Sequence, residues 1–70
     1  MSAARVEARD FLQFDEAKSM DDTLTPLGFR LRLDAYAYTN KHARMLTVRL
    51  VWRSRSNDSA VLTLRLPTGR

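Results

Sequence analysis

Hydrophobic and polar residues alternate without interruption from Phe29 to Tyr38. Phe29, Leu31, Leu33, Ala35 and Ala37 hold one phase, and Arg30, Arg32, Asp34, Tyr36 and Tyr38 hold the other. A period of two over about ten residues is the signature of a half-buried strand. The same period returns after a polar stretch, Thr39 to Ala43, of hairpin length. From Arg44 to Arg55, Leu46, Val48, Leu50 and Trp52 share one face. Met45, Thr47, Arg49, Val51, Arg53 and Arg55 share the other. Asn57-Asp58 then supplies turn residues that tolerate left-handed backbone. A third strand follows from about Ala60 to Leu66, with Leu62, Leu64 and Leu66 facing away from Val61, Thr63 and Arg65, and Pro67 and Gly69 stop it.

Upstream the period is different. Residues 3–20 are dense in helix formers, among them Ala3, Ala4, Glu7, Ala8, Leu12, Glu16, Ala17 and Met20, with Ser2 as a candidate N-cap. The apolar stripe of such a helix is imperfect. Ala3, Val6, Phe14 and Ala17 align, but Asp10 falls among them, and Phe11 and Leu12 fall elsewhere. A short strand over Asp10–Phe14 is the competing assignment. Thr25-Pro26-Leu27-Gly28 has proline second and glycine fourth, the composition of a type I turn, and marks the boundary between the two periods.

Short connections make successive strands neighbours. The expected architecture is therefore α+β and a single domain over residues 1–70. An N-terminal helix (about 3–20) packs on a three-stranded antiparallel meander (about 29–38, 44–55, 60–66). Such a helix spans roughly 27 Å and such strands roughly 33 Å. The helix is expected to fall short of the Trp52 end. Trp52 itself is read as a core residue.

Charge sharpens this division. Residues 1–22 carry three basic and six acidic side chains, a net of −3. Residues 23–70 carry nine basic and two acidic, a net of +7. The chain of 70 residues contains no Cys and a single His. A domain this small is marginally stable and usually needs disulfides, a metal or oligomerisation. The first is excluded, a structural zinc site lacks its ligands, and a homodimer or higher oligomer is the expected remedy. The N-terminus has charged residues where a secretion signal needs an apolar core, and no apolar run approaches the length of a membrane span. A reducing, cytoplasmic setting is the expectation.

Period-two geometry collects the outward positions of the three strands on one side of the sheet. Arg30, Arg32, Tyr36, Tyr38, Arg49, Arg53, Arg55 and Arg65 are the candidate binding residues. Arginine suits phosphate and stacks on bases, and tyrosine rings are stacking platforms. A solvated outer face would also be rich in Arg and Thr, so the pattern is unspecific. No aromatic RNP-type motif, GxxG loop or helix-turn-helix pattern accompanies it.

Candidate chemistry is sparse. His42 sits in a connecting loop with no carboxylate nearby in sequence. Asp15-Glu16 and Asp21-Asp22 fit solvated helix ends and turns, and neither pair fits a calcium loop. Two glycines, Gly28 and Gly69, cannot build a phosphate-cradling loop. The expectation is a non-catalytic binding module without metal or cofactor. Nucleic acid bound through the Arg/Tyr face is the first partner expected. The alternative is a protein-interaction element (an inhibitor, adaptor or assembly subunit, of the kind phage accessory proteins supply). It would use the same face or a sheet edge to meet an acidic surface or a second copy. The position of the acidic segment separates the two: packed over the arginines, it would exclude nucleic acid.

Overall fold

The computed structural model describes residues 6–40 and 45–67, with the side chains of residues 37–40 also outside the description. Ser2, residues 3–5, Lys41, His42, Arg44 and Gly69, which figure in the expectations above, therefore lie outside the described residues. The architecture is α+β: an N-terminal helical layer covers one face of an open antiparallel sheet. The strands are β1 (Arg30–Asn40), β2 (Met45–Arg53) and β3 (Ser59–Pro67), in the order β1-β2-β3. Among the described residues no helix is long and apolar enough to cross a membrane.

The helical segment differs from the single expected helix. Ala8–Gln13 forms a 3-10 helix, Phe14 is extended (φ −88°, ψ 133°), and α1 runs Asp15–Leu24. The irregular apolar stripe is the cause. In one straight helix Phe11 and Phe14 would share a side, but Leu12 would point well away from both. The extended residue re-aims the chain, so Phe11 is buried in the core cluster and Leu12 and Phe14 pack against it. Asp10, which spoiled the stripe, accepts a 2.9 Å hydrogen bond from the Glu7 backbone N–H and caps the first helix.

Within α1 the inward positions are Ala17, Met20, Asp21 and Leu24, at helical spacing, and Ala17 has no exposed surface. A further 3-10 turn, Thr25–Leu27, continues the helix to Gly28. There the Gly28 N–H donates to Thr25 O (3.0 Å) and the Phe29 N–H to Leu24 O (3.2 Å), with Gly28 at φ 95°. That bond pair with a left-handed residue is the Schellman ending, and it selects glycine. On the exposed side Lys18 Nζ lies 2.8 Å from Asp22 Oδ1. This bond raises the lysine pKa. Its small contribution is complete at neutral pH. It is lost as pH climbs above the ordinary lysine value of 10.5.

The sheet buries Val48, Leu50 and Trp52 of β2 and Leu64 of β3 against Phe11 and Ala17. Each fully buried large side chain contributes about 1.5–3 kcal/mol of transfer free energy. The Trp52 end is covered, contrary to expectation, because the helical run extends to Leu27 instead of stopping near residue 20. The Trp52 indole N–H donates to Asp21 Oδ1 at 3.1 Å, and the same oxygen accepts from the Thr25 hydroxyl at 3.1 Å. Asp21 is thus the polar partner of the largest core residue, not a solvated turn residue.

β2 and β3 pair in continuous register from Met45↔Pro67 to Arg53↔Ser59. The turn between them is closed by Ser54 Oγ, which accepts from the N–H groups of Ser56 and Asp58 at 3.2 Å each. Asn57 occupies left-handed backbone there, φ 73°, as its residue type suggested. The β1–β2 register is not continuous. Leu33 pairs with Leu50, but the next paired residue, Ala35, faces Arg49, so Asp34 is an extra residue in β1. A second shift follows between Tyr38 and Asn40.

Candidate nucleic-acid interface

The outer face of the sheet is built in rows across the strands. At one end Arg30 pairs with Arg53, which pairs with Ser59. The next row on this face is Arg32, Val51 and Val61. Beyond it come Ala35, Arg49 and Thr63, then Ala37, Thr47 and Arg65. Arg30, Arg32, Arg49, Arg53 and Arg65 therefore share one face, and all five are exposed.

Arg55 is not in a strand, because β2 ends at Arg53. The turn nevertheless brings it to the same end. Arg30, Arg32, Arg53 and Arg55, with Gly28 and Ser54, line one open depression of about 190 Å³. Among the described residues no carboxylate lies within ion-pair distance of these four guanidinium groups. Arg49 differs: its Nη1 lies 3.5 Å from Asp34 Oδ2, an exposed pair. Such pairs are worth about 0–1 kcal/mol. Arg65 stands apart, four residues along β2 from the Val51 row.

Like charges placed directly opposite across strands are destabilising by about 0.2–1 kcal/mol. The Arg30–Arg53 pair is therefore a cost that the fold itself does not need. Under the arginines lies an apolar patch. Val51 is only 8% exposed although it points away from the helical layer. Arginine stems flanking it can cover apolar surface while their heads stay in water.

Tyr36 is not part of this face, contrary to expectation. The extra residue at Asp34 reverses the phase of β1, because a shift of one residue exchanges the two sides of a strand. Tyr36 pairs with Val48, an inward position, and its ring lies 6.4 Å from that of Phe11, tilted by 57°. Tyr38 pairs with Leu46, and its side chain lies outside the described residues. Ala35, placed inward by strict alternation, is exposed. The sequence does carry a signal of the switch. Before Asp34 the large apolar residues occupy odd positions, and after it the large rings occupy even ones.

The acidic segment lies on the opposite side. Asp21 of α1 bonds the inward-pointing Trp52, so the helix with Asp15, Glu16, Asp21 and Asp22 packs on the face away from the arginines. Among the described residues no group of three His, Asp or Glu side chains could hold a metal ion. No protein-family model, curated protein or solved structure matches this chain.

Proposed function

We propose that this chain is a non-catalytic module that binds nucleic acid phosphates through the arginine-bearing face of its sheet. The observation that carries this is the segregation of charge. The acidic helical layer covers the other face, leaving Arg30, Arg32, Arg53 and Arg55 without a carboxylate from the described part of their own chain. Forked guanidinium donors suit phosphate oxygens. With Tyr36 turned to the helical side, the described face holds no stacking ring. Backbone contact is therefore the main mode, with little sequence preference.

Fluorescence anisotropy with labelled single- and double-stranded oligonucleotides over a salt series tests this. Each phosphate neutralised on duplex DNA contributes about −0.9 to the slope of log K against log salt. Changing Arg30, Arg32, Arg53 and Arg55 together to Gln should flatten that slope by roughly 3–4 and weaken binding to all sequences alike. Absence of salt-dependent binding by the unaltered protein, to either kind of probe, would sink the reading. The alternative, a protein-interaction element, is favoured by one observation of its own: among the described residues the sheet is open, with no further strand paired to β1 or β3.

A further inference from the structure

The two open edges are not equivalent. β1 carries an extra residue at Asp34 and a second register shift before Asn40. Bulges of this kind twist an edge and blunt it against pairing. β3 carries no bulge, and its one proline, Pro67, is its last residue. Its nine residues pair with β2 without a shift, and Arg65 is its one charged residue. Its inner face is also incompletely covered. Leu64 is buried, but Ala60, Leu62 and Leu66 are only half-buried, and outward-facing Val61 is 53% exposed. The 3-10 segment lies toward the other edge, where Phe11 meets Tyr36 of β1.

The residue pattern of β3 suits its own reverse. Inward residues must meet inward residues, because an odd slip would put leucines opposite arginine and threonine. Among the registers that remain, one centred on Thr63 pairs the whole strand. It sets Leu62 against Leu64, Ala60 against Leu66, Val61 against Arg65 and Ser59 against Pro67. It also keeps Arg65 from facing Arg65, which a register centred two residues later would impose. The inner leucines would form one unbroken apolar strip, and exposed Val61 would lie under an arginine stem.

We propose that β3 pairs antiparallel with β3 of a second copy about a two-fold axis at Thr63, giving a six-stranded sheet. Such an interface is isologous and closes on itself. Both arginine-bearing faces then lie on the same side of the joined sheet. This inference stands apart from the nucleic-acid reading, and its test contains no nucleic acid.

The absence of native cysteine makes the test clean. In Thr63→Cys the new thiol would face its own copy. Opposed Cα atoms in antiparallel strands lie about 4.5–5.5 Å apart, inside the range a disulfide needs. Mild oxidation should convert T63C to a covalent dimer much faster than Ser56→Cys in the exposed β2–β3 turn. Sedimentation equilibrium of the unaltered protein should give a dimer. Val61→Lys, which sets a lysine opposite Arg65 twice per dimer, should weaken it roughly fivefold, and Arg65→Glu in that background should restore it. Circular dichroism confirms that each variant is folded. A monomer at millimolar concentration overturns the proposal. So does a dimer that neither cross-links faster through T63C than through S56C nor responds to the charge pair.

Discussion

Asp21 shows how a single side chain can be misassigned by its neighbours in sequence. Next to Asp22 and Thr23 it resembles part of a solvated helix end. In the fold its Oδ1 accepts from both the Trp52 indole and the Thr25 hydroxyl. Trp52 is fully buried, so its N–H has no access to water. Removing the acceptor leaves a buried donor unsatisfied, which costs about 1–3 kcal/mol. Asp21→Ala should lower stability by that amount, and Asp21→Asn, which keeps an acceptor oxygen, should lose less. Urea denaturation followed by the fluorescence of the single tryptophan measures both. Equal stability of D21A and the unaltered protein would show that the contact is idle. Nothing local in the sequence reveals this pairing, because its partners are 31 residues apart.

Among the elements, β1 decides what the two faces of the sheet look like. Its bulge at Asp34 sends Tyr36 to the helical side and Ala35 to the outer side. Tyr36 is therefore a packing residue, 44% exposed but resting against Phe11. An aromatic pair of this kind is worth about 0.5–1.5 kcal/mol beyond its burial. Tyr36→Ala should destabilise the domain by about 1–2 kcal/mol, while Tyr36→Phe should be nearly neutral. Neither should change oligonucleotide affinity. A loss of binding in Tyr36→Phe, with stability intact, would return the tyrosine to the interface. The helical layer shows the same principle of a local irregularity serving packing. Extended Phe14 lets three neighbouring apolar residues reach one core.

At the scale of the molecule the chain is a two-sided slab, with acidic helices on one face and arginines on the other. Four guanidinium groups held at one end of the sheet repel one another in the folded state. An anion that bridges them binds the native protein and not the unfolded chain. It should therefore raise stability by mass action, by about 2.7 kcal/mol when its concentration is a hundred times its dissociation constant. Inorganic phosphate should raise the melting temperature more than chloride at equal ionic strength. The difference should vanish in the protein with Arg30, Arg32, Arg53 and Arg55 changed to Gln. Equal melting temperatures in the two salts would mean that the cluster holds no anion and that general screening is its only response.

Much of this architecture is written in the sequence, for a physical reason. Period-two alternation across β2 and β3, proline and glycine at Thr25–Gly28, and Asn57 at the last turn are local signals. In these elements the backbone follows them. They determined the α+β class, the three strands, the core tryptophan and the side of the sheet on which Arg30, Arg32, Arg49, Arg53 and Arg65 stand. Only the tertiary structure decided the rest. An extra residue in one strand is fixed only against the register of its partner, so the phase change at Asp34, faintly marked in the sequence, became a change of side for Tyr36 only in the fold. The break at Phe14 exists because three apolar side chains must reach one core. The side taken by the acidic helix followed from which face of the sheet had apolar area to bury.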